Sequence, residues 1–152
     1  MRTIAFTVHG KPIAQPRQRM RNAGKFIQSY TPASHPVTEW KRMIQITYSA
    51  CEDAPRFAQG EPLEVIARFT MPRPKSHLRA NGEIKPGQDY WHTKKPDGDN
   101  LIKAVLDALT KAGAYHDDSQ IAKTHIEKCY TTHGNMETGL SILIKPLASP
   151  DA

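Results

Sequence analysis

The residues of this sequence with the clearest chemical potential are three aspartates and a lysine. Asp97 and Asp99 stand two residues apart in Lys95-Pro96-Asp97-Gly98-Asp99-Asn100, Lys103 follows, and Asp118 lies in Tyr115-His116-Asp117-Asp118-Ser119-Gln120. Hard divalent cations take oxygen ligands, and Mg²⁺ commonly takes one or two carboxylates together with water and a substrate phosphate. Three aspartates at one site fit that preference. Lys103 is one helical turn beyond Asp99, where its ammonium can pair with that carboxylate or meet a scissile phosphate. Each residue also has a plain structural use. Asp99 can be a helix N-cap, Asp97 a turn residue, and Asp117-Asp118 a solvated turn or the cap of a short helical turn. An EF-hand loop needs Gly at the sixth position from Asp97, but Ile102 stands there, which excludes that kind of calcium site.

These groups must be positioned by the elements around them. Leu101, Ala104, Val105, Ala108, Leu109 and Ala112 trace one apolar stripe, so the pattern predicts a helix from Asp99 to Ala112 with Gly113 as its stop. That helix is about 20 Å long at ~1.5 Å per residue. For Asp118 to join Asp97 and Asp99, the chain after Gly113 has to carry it back to the helix start. Upstream, Met1 to His9 alternates apolar and polar residues with Ile4, Phe6 and Val8 on one face, a strand pattern rather than a signal peptide. A basic, turn-rich stretch from Gln15 to Lys25 leads into a short strand at Phe26 to Tyr30. Val37, Trp40, Met43, Ile44 and Tyr48 then predict a helix over Pro36 to Glu52, with Trp40 and Tyr48 in the core.

Leu63 to Met71 alternates cleanly, placing Leu63, Val65, Ala67, Phe69 and Met71 on one strand face. Pro72 to Pro96 is proline-rich and basic, a long loop of the kind that is usually functional. Two strands close the chain, Ile121 to Thr132 and Thr138 to Lys145, read as a hairpin through His133-Gly134-Asn135-Met136. The expectation is one α+β domain over residues 1–147: a small mixed sheet of four to five strands with two main helices, in the order β-(β)-α-β-α-β-β. Residues 148–152 are expected to be a frayed tail.

With Lys and Arg numbering 21 against 15 Asp and Glu, the formal charge is +6, which favours an anionic partner such as nucleic acid or a membrane surface. No apolar run approaches the roughly 18 residues of a membrane span, so a cytoplasmic protein is expected. Cys51 and Cys129 form no disulfide framework, and no two of the seven histidines have a zinc-binding spacing. Arg17, Arg19, Arg21 and Lys25, with Arg73, Lys75, Arg79 and Lys95, are the candidates for phosphate contacts with such a partner, although a solvated basic surface would look the same. Phe26, Tyr30, Tyr90 and Trp91 are candidates for stacking on unpaired bases, and His92 and His116 for proton transfer.

The run Lys95-Pro96-Asp97-Gly98-Asp99-Asn100-Leu101-Ile102-Lys103-Ala104-Val105-Leu106-Asp107-Ala108-Leu109, followed by Tyr115-His116-Asp117-Asp118-Ser119-Gln120-Ile121, resembles the signature of the RusA family of Holliday junction resolvases. Gly10-Lys11-Pro12 with Arg17 and Arg19, Tyr30-Thr31-Pro32 and Pro74-Lys75-Ser76 extend the likeness. The resemblance implies a homodimeric, Mg²⁺-dependent endodeoxyribonuclease, with Mn²⁺ as a substitute ion. It would bind Mg²⁺ through Asp97, Asp99 and Asp118, with Asp117 as an auxiliary, use Lys103 in catalysis, and resolve four-way junctions by paired nicks in recombination and repair. Asp107 reads as a partner for Lys103 or Lys111. The competing readings are a branched-DNA-binding protein without activity and a metal-dependent phosphatase acting on small substrates.

Overall fold

The computed structural model describes residues 2–17, 19–135 and 137–151, without the side chains of Arg19, Arg21, Ala23, Phe26, Gln28 and Ser29. In chain order the main elements are β1 (Ile4–His9), β2 (Arg19–Ala23), β3 (Phe26–Tyr30), α1 (Pro36–Ala50), β4 (Leu63–Met71), α2 (Gly98–Lys111), β5 (Ile121–Tyr130) and β6 (Gly139–Pro146). This is the expected α+β architecture of a mixed sheet with two helices.

The alternation in β4 has the predicted consequence: Leu63, Val65, Ala67, Phe69 and Met71 are all buried. They meet Leu140, Ile142 and Ile144 of β6, and the helix residues Trp40, Ile44, Tyr48, Leu101, Val105 and Leu109, in one core. Both helices therefore cover the same face of the sheet. Met43 turns outward from the expected α1 stripe, and Lys41 is buried instead.

The sheet order is β1-β6-β4-β5, with β4 and β5 parallel and the other pairs antiparallel. Parallel neighbours cannot be joined by a tight turn and need a crossover, which α2 provides. The expected hairpin between the last two strands does not form, because β4 lies between β5 and β6. Each pairs with the long, wholly apolar-faced β4, and the connection through residues 131–138, of which Met136 is outside the description, passes across the end of that strand.

The Pro72 to Pro96 segment is more ordered than its composition suggests. It holds a short 3-10 turn at Lys75–His77 and a bridge between Leu78 and Ile84. Further on, the Tyr130 amide donates to the Tyr90 carbonyl at 2.8 Å and the His92 amide to the Lys128 carbonyl at 3.0 Å. Residues 90–92 thus cover part of the β5 edge, which would otherwise expose unpaired backbone groups. The Lys128 ammonium donates to the carbonyls of Lys94 and Pro96, both at 2.8 Å, and so fixes the segment that leads into α2.

Candidate active site

The start of α2 is built one residue earlier than the apolar stripe indicates. Asp97 has extended backbone and is the N-cap, its carbonyl accepting the Leu101 amide at 3.1 Å, while its carboxylate makes no capping bond. Asp99 lies in the first turn, so both carboxylates sit where the exposed amides of the helix end favour negative charge. Both are exposed, and neither side chain has a hydrogen bond or ion pair among the described residues. The Asp99–Lys103 pair allowed by the spacing is not formed, leaving the Lys103 ammonium without a partner among those residues as well. A Cβ on Gly98 would stand 3.4 Å from the Ile126 side chain, which places the head of α2 against the middle of β5.

The two adjacent aspartates beyond α2 have different employment. Asp117 caps the 3-10 turn Asp118–Gln120: its carboxylate accepts the Ser119 amide at 3.1 Å and the Ser119 hydroxyl. In return Gln120 Oε1 accepts the amides of His116 at 2.9 Å and Asp117 at 3.1 Å, a reciprocal capping box. The Ser119 bonds hold the Asp117 carboxyl below the usual range. Gln120 is buried, and its amide also donates to the carbonyls of Ala58 and Glu61 at 2.8 and 3.0 Å. Asp118, by contrast, is exposed and has no hydrogen bond or ion pair among the described residues. The structural role open to either aspartate falls to Asp117.

Asp118 is not carried back to the start of α2. The head of the helix lies opposite Ile126, whereas Asp118 precedes Ile121, and the strand between those two isoleucines spans about 16 Å. Asp118 instead lines a concavity of about 720 Å³ between α1 and α2, together with Lys41, Arg42, Lys103, Asp107 and Lys111. Among the described residues, no three His, Cys, Asp or Glu side chains converge closely enough to hold a metal ion. The exposed carboxylates of one chain therefore stand in two places, Asp97 with Asp99 at the head of α2 and Asp118 toward its tail, with Lys103 on the helix between them.

Asp107 pairs with Lys41 at 2.6 Å and Lys111 at 3.2 Å, and not with Lys103. Burial works against the charge of its carboxyl, yet these two ammonium groups hold its pKa low. Lys41 was invisible to the motif because it comes from the other helix. Its position beside Trp40, one step off the apolar stripe of α1, is the only sequence signal. Tyr115 donates its hydroxyl to the Leu106 carbonyl at 2.7 Å, and burial, with Asp118 nearby, keeps that phenol protonated.

The basic candidates divide. Arg17, Lys25, Lys75, Arg79 and Lys95 are exposed; the side chains of Arg19, Arg21 and Phe26 lie outside the description. Arg17 lines a second concavity with Gln15, Pro16, Asn100 and Lys103, and the Gln15 amide donates to the Asn100 carbonyl at 2.9 Å, tying the N-terminal loop to α2. Arg73 differs from these exposed residues. It is only 7% exposed, donates to the carbonyls of Thr131 and Asp89 at 2.8 Å each, and lies over the Tyr130 ring. Its guanidinium satisfies one backbone acceptor in the long loop and one just after β5, and so ties the two segments together. Tyr90 and Trp91 remain exposed, ring against ring at 4.8 Å. His92 is buried against Tyr130, while His116 is exposed.

A basic chain that exposes carboxylates and a lysine on one helix has the makings of a DNA-cleaving hydrolase, and comparison with known proteins identifies that class. The family described as endodeoxyribonuclease RusA matches residues 9–141, and the chain belongs to this family. It is also similar to an uncharacterized protein, YqaN, of Bacillus subtilis (strain 168), with 31% identity over 141 residues covering 90% of this chain and 94% of the relative. No helix among the described residues is long and apolar enough to cross a membrane.

Proposed function

We propose that the protein is a homodimeric, Mg²⁺-dependent endonuclease that resolves four-way DNA junctions by paired nicks, leaving 5′-phosphate and 3′-hydroxyl ends. The observation that carries this reading is the family match joined to the side chains it covers: Asp97, Asp99, Lys103 and Asp118 are exposed and have no partner among the described residues, whereas their neighbours Asp107 and Asp117 are tied into the fold. Clustered free carboxylates weaken binding to a polyanion unless a cation bridges them, so binding alone gives no reason to keep them free.

The donor set suits a hard divalent ion, being carboxylate oxygen without competing protein hydrogen bonds. Bound there, Mg²⁺ supplies Lewis acidity toward the phosphoryl oxygen and charge neutralisation of the leaving 3′-oxygen. Asp97 and Asp99 hold it at the head of α2. The Lys103 ammonium, one turn along, neutralises a non-bridging phosphate oxygen and orients the strand. The third carboxylate comes from the second subunit. In an isologous dimer the same patch meets itself, and an antiparallel approach of the two α2 helices brings the Asp118 end of one to the Asp97–Asp99 end of the other. Two such composite sites, related by the two-fold axis, would cut the two opposed strands of a junction whose own symmetry is near two-fold.

Cleavage of a four-way junction, the matching duplex and a small phosphate ester, with and without Mg²⁺, tests the reading. Metal-dependent paired cutting of the junction is expected, lost in Asp99→Asn while junction binding persists. Equal cutting by Asp99→Asn, or hydrolysis confined to the ester, contradicts it.

A further inference from the structure

The proposed catalytic groups leave one element unexplained. β2 and β3 form a two-stranded ribbon that pairs with no other strand, and such a ribbon is marginal alone in water. The register pairs Met20 with Ser29 and Asn22 with Ile27, which puts Met20, Asn22 and Ile27 on one face. Met20 is 65% and Ile27 67% exposed, the two most exposed large apolar side chains described. The ribbon face thus presents an apolar pair to solvent.

The surroundings of that pair say what covers it. Residues 11–25 carry Lys11, Arg17 and Lys25, with Arg19 and Arg21 at the register positions that alternate with Met20 and Asn22, and no carboxylate; the first acidic residue of the chain is Glu39. Two such ribbons facing each other would repel at distances within the Debye length, ~8 Å at physiological salt. On the open face of the sheet the strand carboxylates among the described residues are taken, Glu127 by Arg68 and Glu64 by Lys123 and Lys145. A polyanion with apolar surfaces fits both properties. The ribbon also springs from the right place: the loop before it is tied through Gln15 to Asn100, and Arg17 shares a concavity with Lys103. Met20 is three residues from Arg17, within about 11 Å along an extended chain. That equals about three base steps at ~3.4 Å per step along a strand.

We infer that the β2–β3 ribbon is a base-contacting arm, in which Met20 and Ile27 pack against bases opened at the branch point, within about three steps of the cut. Apolar side chains are used in this way to wedge unstacked base steps. A continuous duplex charges the cost of unstacking against the contact, whereas a branch point has bases already strained or open. The arm therefore selects branched over continuous DNA. This rests on the nuclease reading above and adds the element that gives it structural selectivity.

The test uses the full chain and a Met20→Ser/Ile27→Ser variant, with four-way junctions carrying 2-aminopurine at each of the first three positions from the branch. Binding is read without divalent metal. A fluorescence rise on binding by the parent protein is expected at one or more of these positions and is lost in the variant. Junction affinity should fall about tenfold, near 1.4 kcal/mol, while duplex affinity changes less than twofold. Unchanged fluorescence with the parent, or equal loss of junction and duplex binding, overturns the inference. So does a variant that dissociates into monomers in sedimentation, which would make the pair a subunit contact. Loss of binding to anionic vesicles with DNA binding intact would assign it to a membrane. Junction cutting in Mg²⁺ with a silent 2-aminopurine signal removes the arm alone; absence of cutting by the parent removes the nuclease reading.

Discussion

Arg73→Met should destabilise the protein without touching DNA binding. The guanidinium donates to two backbone carbonyls at 2.8 Å each, one in the long loop and one just past the end of β5. Hydrogen bonds to charged groups contribute roughly 1.5–3 kcal/mol each, and their buried acceptors are left unsatisfied on truncation. Methionine keeps much of the volume and some contact with Tyr130, so the net loss should be about 3 kcal/mol. For a chain of this size that is roughly a 6–12 °C drop in Tm. Urea unfolding and calorimetry measure it; junction binding as a function of salt, below the lowered Tm, measures the other half. Lys75→Ala should do the reverse, leaving Tm in place and reducing the slope of log K against log salt by about 0.9 if the lysine meets one phosphate. An Arg73→Met protein as stable as the parent, with a reduced salt slope, would refute the structural role and restore Arg73 as a phosphate contact.

Asp117→Ala and Asp118→Ala should separate cleanly: the first lowers Tm by removing the cap while junction cutting survives, the second abolishes cutting with Tm unchanged, read by melting and nicking assays on the same preparations. Gly139→Ala should lose about 3 kcal/mol of stability in urea unfolding, because the added methyl carbon would lie 2.4 Å from the Val8 carbonyl oxygen in the β1–β6 pair. Burial, with Lys128 nearby, lowers the His92 pKa. The unfolded chain takes up this proton at about pH 6.5 and the folded chain only at lower pH. His92 therefore stabilises the fold fully above that value and loses this contribution as pH drops toward its folded pKa. His92→Phe should flatten that part of the stability–pH curve, and an unaltered curve would contradict the assignment.

The elements were legible in the sequence wherever one face is buried. The period-2 pattern of Leu63 to Met71 and the stripe from Leu101 to Leu109 are direct records of which side meets the core. The neighbours of each strand were not legible, because the residue patterns of β5 and β6 are equally compatible with pairing to each other or to β4. Arg73 could not be told from Lys75 or Arg79, since charge type does not reveal whether a loop closes over a side chain. Asp97, Asp99 and Asp118 stood out by spacing, but spacing along one chain is silent about which of them face one another. The separation of Asp118 from the head of α2 follows from the parallel β4–β5 pair, which makes the chain run the full length of α2 before β5 begins.

That separation makes the composite site the central claim, and mixing two inactive proteins tests it most directly. An Asp97→Asn/Asp99→Asn chain and an Asp118→Asn chain should each be inactive as homodimers. If each site draws Asp118 from the partner subunit, a mixed dimer contains one site with both substitutions and one site with neither. The mixture should then recover Mg²⁺-dependent nicking of a four-way junction, at one strand per dimer rather than two. Had all three aspartates of a site come from one chain, every site in the mixed dimer would still lack a ligand. A mixture shown by mass spectrometry to contain heterodimers, yet silent in the nicking assay, would contradict the account.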